Sequence, residues 1–267
     1  MWLSAKPKIS TFKYATFHTP TVVAHLTKPM KTEFIIIIVL LILAIGIIIW
    51  RKKLNKMENA PTEFVKLKSK TESTKHLPLV SNSWISEIEE KWSEKEWGFY
   101  DNEHYDISNE ICNNVYSKNK YWEKNQTHAE FLDELTKQQR VYFTLVNFEG
   151  QVNNGGVYQL LFNNPELSII ALQGMQEVGL EKLAKDYEIV LVEYFGKFNT
   201  IQELYLKFQK DNEDWNKRWN SFAEGYKELS SSKIIEEYFY KESFVKVYQK
   251  KLTEYVKANP TKLYRIK

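Results

Sequence analysis

The polar side chains with the clearest spacing for chemistry lie between Gln151 and Pro165, in the segment QVNNGGVYQLLFNNP. Gln159 and Asn163 are four residues apart, so they share one face of a helix. Amide side chains need hydrogen-bond partners wherever they are buried. The pair is therefore predicted either to hold neighbouring loop backbone in place or to bind a small ligand, which would include the substrate of an enzyme.

Two adjacent glycines, Gly155 and Gly156, interrupt the same segment. Glycines in series end a helix and permit a turn with positive φ, and Asn154 is placed to cap that break. A phosphate-binding loop is not indicated, because no Gly-Lys-Ser/Thr follows and no strand precedes the glycines. The sequence predicts a mainly structural motif made of Asn154, Gly155, Gly156, Gln159 and Asn163.

A run of carboxylates forms a second group that could do chemistry. Carboxylates steer a basic partner towards a surface, and aromatic side chains anchor the interface that forms. The alternative is an amphipathic helix whose tryptophans face the core while its glutamates face water. The candidate interaction surface, called the acidic face below, consists of Glu87, Glu89, Glu90, Glu94 and Glu96, with Lys91 and Lys95 as offsets and Trp84, Trp92 and Trp97 interspersed.

Other residue types that carry out catalysis or bind metals are scattered. His104 and His128 have no metal-ligand spacing, and His128 is predicted at an exposed helix start. Cys112 is the single cysteine, so it predicts a small core residue and forms no intramolecular disulfide. Asp211, Glu213 and Asp214 lack the spacing of a calcium loop and are predicted to be solvated. We predict no catalytic residue, no metal and no cofactor.

The elements that would position these residues begin with an apolar run. Phe34 to Trp50 reads FIIIIVLLILAIGIIIW, and Arg51-Lys52-Lys53 follows directly. As a helix these seventeen residues span roughly 25 Å, and flanking Lys and Arg cover the remaining hydrocarbon thickness. The run predicts one transmembrane helix after an N-terminal segment of residues 1–33, of which 1–29 are not translated if Met30 is the start. The positive C-terminal flank predicts a single-pass inner-membrane protein with its C-terminal domain in the cytoplasm.

Charge divides the chain after residue 81. Residues 1–81 hold 13 Lys and Arg against 4 Asp and Glu, a net of +9, which leaves 24 against 30, a net of −6, for residues 82–267. Residues 51–81 are polar and rich in Lys, Ser and Thr, and predict a basic linker. Direct binding of the acidic part to nucleic acid is not expected, because phosphate contacts need clustered Lys and Arg.

Residues 82–267 predict a single all-α globular domain of about seven helices. Capping boxes occur at Thr127–Glu130, Thr136–Gln139 and Thr200–Glu203, and apolar residues recur between them with a period near 3.6. Earlier helices are predicted near 84–97 and 107–117, and the last helix is predicted to stop at Asn259-Pro260.

One stretch resembles a known bacterial family. LDELTKQQRVYFTLVNFEGQVNNGGVYQLLFNN, followed by LQGMQEVG, is similar to the domain of unknown function typified by DNA-mimic protein nineteen. The resemblance rests on Asn154, Gly155, Gly156, Gln159 and Asn163, covers residues 130–195 clearly, and extends over 84–260. It implies an all-α fold, allows a homodimer, and implies that at least one member presents carboxylates as a phosphate-backbone mimic to a DNA-binding regulator. Those carboxylates lie outside the shared motif and are not carried over.

Together these features predict a membrane-anchored helical protein-interaction domain that sequesters a basic or DNA-binding partner protein. Two alternatives stay open from sequence. One is an enzyme or small-ligand domain with a pocket near Gln159 and Asn163, and the other is an envelope structural or immunity-type protein.

Overall fold

The computed structural model describes residues 32–58, 71–113, 115–116, 120–124, 126–200, 202–204, 206 and 229–267. The chain divides into two compact units, with the boundary between Leu54 and Asn55. After Thr200, where the third capping box predicts a helix start, the described residues are 202–204, 206 and 229–267.

The first unit contains α1, a helix over Thr32–Glu58. Its side chains are described for residues 36–51, and the large apolar ones from Ile36 to Trp50 are exposed. Within the described residues, no helix has the length and apolar character that a membrane span requires. The transmembrane helix predicted over Phe34–Trp50 stays a prediction.

The second unit is helical, which confirms the predicted all-α class. Its described α-helices are α2 (Trp84–Trp92), α3 (Glu103–Ser108), α4 (His128–Asp133), α5 (Lys137–Asn163), α6 (Ser168–Glu177), α7 (Glu181–Phe195), α8 (Ser232–Phe239), α9 (Glu242–Ala258) and α10 (Pro260–Leu263). A π-helical turn, Asn109–Asn113, extends α3, and 3₁₀ turns occupy Tyr121–Lys124 and Pro165–Leu167. The described helices exceed the predicted seven because helices of four to six residues, such as α3, α4 and α10, are too short to show a 3.6-residue period.

Helix α5 is the central element of this unit. It packs against α6, α8, α9 and α10, while α9 also packs against α3 and α8. Apolar residues that follow the second capping box lie in the core, where Tyr142, Leu145 and Phe148 are fully buried. The unit is therefore organised around α5, and α3 and α9 cover part of its length.

Two of the three predicted capping boxes form completely. Thr127 and Glu130 form a complete capping box at α4, and Thr136 and Gln139 form another at α5. At the third site, Thr200 accepts from the Glu203 backbone N–H, but the Glu203 carboxylate accepts from the Asn199 backbone, so the box is only half formed. Helix α9 ends at Ala258, with Asn259 after it, as predicted.

The segment from Thr71 to Ser81, assigned to the linker from sequence, packs against the helical body. Leu77 and Val80 are 4% and 5% exposed, and the Ser73 backbone N–H donates to the Glu134 carbonyl at 2.9 Å. Leu79–Val80 (β1) also pairs in parallel with Arg265–Ile266 (β2). Polar composition concealed this packing, because two apolar side chains and a two-residue ladder leave no periodic pattern.

Candidate functional site

The glycine pair breaks α5, as the sequence predicted. Gly155 has φ −163° and ψ 26°, and Gly156 has φ +75° and ψ 176°, so helical geometry is lost at both. A Cβ added to Gly155 would lie 1.8 Å from Gln159 Oε1, and one added to Gly156 would lie 2.2 Å from Glu236 Oε1. Gly156 is needed as glycine because of its positive φ, whereas a side chain at Gly155 would have to displace the flexible end of Gln159.

The amide residues of the motif do not converge on a pocket. The half-buried Gln159 lies against Gly155, one turn earlier. Asn163 is exposed, and its Nδ2 donates to Gln151 Oε1 at 3.0 Å, while Asn154 is exposed beside the break. The bond from Asn163 to Gln151 joins the two halves of α5, whereas the predicted role of Gln159 and Asn163 in holding loop backbone stays a prediction.

The acidic face is exposed on α2 and on the turn that follows it. All five glutamates are exposed to solvent. Glu89 forms an ion pair with Lys257 at 2.7 Å, and Lys257 also binds Glu103 at 2.6 Å. Glu87 accepts from Ser83 Oγ at 2.5 Å. Glu89 is thus tied to α9, whereas Glu87 is held within α2 by its own N-cap residue.

The tryptophans interspersed with these glutamates point towards the protein body. Trp84 meets the ring of Tyr264 edge-on at 5.0 Å. Trp92 Nε1 donates to Asp106 Oδ2 at 2.7 Å, and Trp97 Nε1 donates to Gln249 Oε1 at 3.2 Å. The tryptophans are partly buried against the core. This is the amphipathic arrangement predicted from sequence as the alternative, with tryptophans facing the core and glutamates facing water. The carboxylates are the exposed part of this surface.

A cleft of about 290 Å³ beside α5 was not predicted. It is bordered by α3 with its π-helical turn, by the middle of α5, and by α9. Its lining combines aromatic, amide and titratable side chains, namely Phe99, Tyr100, His104, Tyr105, Ser108, Asn109, Asn113, Val146, Glu149, Gly150, Asn153, Asn154 and Gln249. Asn154 is the one member of the predicted motif in this lining.

Two buried titratable groups face each other in this lining. Glu149 is 7% exposed and His104 is 6% exposed, with Glu149 Oε2 3.7 Å from His104 Nε2. Burial raises the pKa of Glu149 to about 7, an effect that the hydrogen bond from Gln249 partly opposes. Burial lowers the pKa of His104 to about 4. Near neutral pH the imidazole is uncharged, while the carboxyl is poised to exchange a proton.

Gln249 connects this pair to the acidic face. Its Nε2 donates to Glu149 Oε1 at 2.7 Å, and its Oε1 accepts from Asn102 Nδ2 at 2.8 Å as well as from Trp97. Asn102 also caps α3, where its side chain accepts from the Tyr105 backbone N–H. The carboxyl is therefore held by side chains from several elements rather than left mobile.

Sequence reasoning could have found two of these residues. Glu149 occupies one helical face with Leu145 and Val152, both buried. Gln249 likewise follows Val245 by four residues and precedes Leu252 by three. A polar side chain inside an apolar stripe must find a partner. His104 offers no comparable pattern, because α3 is too short.

His128 lies at the predicted helix start but is less exposed than predicted. His128 begins α4, as predicted, but its ring is partly buried, with Nε2 2.7 Å from Tyr116 Oη and Nδ1 2.7 Å from Glu166 Oε1. This chain of hydrogen bonds joins α4 to the turn before α6. In the described part of the chain, no three His, Cys, Asp or Glu residues are grouped to hold a metal ion. Cys112 is buried, and burial raises the pKa of its thiol. Asp211, Glu213 and Asp214 lie outside the described residues.

Comparison with known proteins finds one family that matches part of this chain. Residues 133–259 match the family described as DMP19-like protein, as the resemblance in sequence suggested. No curated protein and no solved structure matches the chain. The matched interval contains the glycine break, Glu149 and Gln249, whereas the acidic face and His104 precede it.

Proposed function

Because the chain carries a DMP19-like domain over residues 133–259, we propose that it is a protein-interaction domain whose acidic face binds a basic partner. DNA-binding proteins are the class that best fits such a partner, because their binding surfaces carry clustered Lys and Arg. The observation that carries this proposal is the exposure of all five glutamates on α2 and on the segment directly after it, with the tryptophans facing inward.

The two lysines of the acidic face do not pair with its glutamates. Lys91 Nζ binds Asp106 at 2.7 Å, and the ammonium groups of Lys91 and Lys95 lie 4.9 and 4.5 Å from the centre of the Trp92 ring. Both lysines are thereby drawn towards Trp92. Among the described residues, the side chains of Glu90, Glu94 and Glu96 make no hydrogen bond or ion pair.

Unpaired surface carboxylates of this kind affect mainly the rate at which a partner associates. They attract a positively charged partner and raise its association rate, and salt screens the effect. Because the tryptophans are turned inward, the face offers charge rather than an aromatic anchor. Partner binding should therefore depend strongly on ionic strength.

We expect the triple variant Glu90→Lys, Glu94→Lys, Glu96→Lys to lose its basic partner. Each substitution replaces attraction by repulsion at an exposed position, and the Glu89–Lys257 pair is left in place. The measurement is capture from nuclease-treated lysate by the tagged full chain in detergent, with elution by a salt gradient and mass spectrometry of the eluted proteins. A second run with added duplex DNA tests whether the partner's DNA-binding surface is the one engaged.

A matched control carries the same charge change elsewhere. Glu181, Glu188 and Glu237 are exposed outside the acidic face, and their replacement by Lys should leave capture unchanged. Circular dichroism of both triple variants checks folding. Equal capture by the two variants would eliminate the acidic face as the binding surface, and loss in both would mean that only net charge matters.

We further propose that α1 anchors the domain in the inner membrane, with the C-terminal domain in the cytoplasm. Support comes from the apolar run over Phe34–Trp50 and from the basic residues that follow it. The side chains from Ile36 to Trp50 are exposed, so the first unit itself does not cover them.

Membrane retention tests this anchor. The chain should stay with membranes during alkaline carbonate extraction, and Leu41→Asp with Ile45→Asp should release it, since each charge at a helix centre costs about 2.5–3.5 kcal/mol. Leu41→Ala with Ile45→Ala is the matched control and should be retained. Protease added to spheroplasts should spare the C-terminal domain. Extraction of the unsubstituted chain would refute the anchor, and cleavage of the domain would refute the orientation.

A further inference from the structure

The cleft beside α5 is lined by a carboxylate and by no Lys or Arg among the described residues. Glu149 supplies the carboxylate. Glu149 Oε1 accepts from Gln249, whereas Oε2 makes no hydrogen bond with any described residue, since the nearest imidazole nitrogen is 3.7 Å away. A largely buried carboxylate whose second oxygen has no donor from the described residues and is reached from the cleft favours a ligand that donates hydrogen bonds and carries positive charge.

The other side chains that line the cleft also favour a cationic ligand that donates hydrogen bonds. Phe99 and Tyr100 meet edge-on at 4.5 Å at the cleft, and Tyr105, 44% exposed, lies on α3 in the same lining. Aromatic ring faces attract organic cations. Asn109 and Asn113, joined by a hydrogen bond of 2.6 Å, add amide groups. Anionic ligands would meet no positive side chain here.

We propose that this cleft binds an organic cation, either a guanidinium or an alkylammonium group, which pairs with the Glu149 carboxylate and contacts the aromatic rings. The cation could be a free amine or the side chain of an arginine or lysine on a protein partner. The volume of about 290 Å³ is at the lower end of ligand sites and suits one such group with a short aliphatic stem. The site is separate from the acidic face, so it does not rest on the function proposed above.

Cation binding should be coupled to proton release from Glu149. His104 on α3, Tyr142 on α5, and Tyr248 and Gln249 on α9 are the neighbours that act on this carboxyl. His104 is neutral above pH 5 and both tyrosines stay protonated, because burial lowers the pKa of the first and raises those of the others. With a Glu149 pKa of about 7, binding should tighten about tenfold between pH 6 and pH 8.

N-acetyl-arginine amide is a suitable probe, with N-acetyl-citrulline amide as its uncharged isostere. Calorimetric titration of the full chain in detergent should show binding of the arginine compound at pH 8, about tenfold weaker binding at pH 6, and none of the citrulline compound. Glu149→Gln keeps the shape and the bond from Gln249 and should abolish the binding. Tyr105→Ala, at the exposed rim, should weaken it severalfold without affecting the fold.

Glu188→Gln, an exposed position on α7, is the matched control and should bind like the unsubstituted chain. Absence of binding, equal binding of both compounds, or unchanged binding by the folded Glu149→Gln variant would each overturn the proposal. Adding the arginine compound to the captured partner complex separates the two sources of the cation. Release of the partner would identify a side chain of that protein as the cation in the cleft, and retention with the arginine compound bound would show that the captured partner does not supply it.

Discussion

Gly156→Ala is expected to lower the free energy of unfolding by about 2–4 kcal/mol. The residue has φ +75°, where a side chain introduces backbone strain of about 1–2 kcal/mol. The new Cβ would also lie 2.2 Å from Glu236 Oε1 and 3.0 Å from its Cδ, so the α8 carboxylate must move. Urea denaturation of the purified chain, followed by circular dichroism, measures the change.

Gly150→Ala is the matched control on the same helix. Gly150 is helical, and an added Cβ meets nothing within 4 Å. Removing a glycine from a helix interior should raise the free energy of unfolding by about 0.5–1 kcal/mol. Adding Glu236→Ala to Gly156→Ala should recover the steric part of the loss and leave the backbone strain. A Gly156→Ala variant as stable as the unsubstituted chain would contradict the positive φ at this break.

Glu149→Gln is expected to stabilise the domain above pH 7 by up to about 3 kcal/mol. Burial raises the pKa of Glu149 from 4.5 to about 7. Between these values the unfolded chain releases a proton that the folded chain retains, so the contribution of Glu149 to stability is present below pH 4.5 and is lost as the pH rises to 7. Glutamine has no charge to bury, and the variant avoids this loss.

Urea denaturation at pH 5 and pH 8 distinguishes this effect from a general change in packing. The difference between variant and unsubstituted chain should be small at pH 5 and largest at pH 8. His104 acts in the opposite direction and in both proteins, since its pKa, lowered to about 4, costs stability as the pH falls below 6.5. A difference in unfolding free energy that does not change with pH would mean that burial does not raise the pKa of Glu149. Functional sites often keep residues that lower stability, because the function needs them. A substitution at Glu149 that stabilises the domain would fit that pattern.

Local sequence rules decided much of the helical framework. Thr127 and Thr136 cap α4 and α5 as predicted, because a hydroxyl and a carboxylate or amide three residues later satisfy backbone N–H groups within one turn. Gly155 and Gly156 predicted the break in α5, since only glycine takes positive φ without strain. The same segment carried the resemblance to the DMP19-like family, which residues 133–259 match, because its residue types and spacing are contiguous in the chain. Each of these features is set by residues within a few positions of one another.

The cleft was decided by tertiary structure alone. His104, Glu149 and Gln249 come from α3, α5 and α9, separated by 45 and 100 residues along the chain. Helical periodicity shows that Glu149 and Gln249 lie on buried faces, but it does not show which faces meet. Helix packing brings them together and removes them from water, and the shifted pKa values follow from that desolvation. The packing of Leu77 and Val80 against the body is likewise a long-range contact that composition cannot reveal.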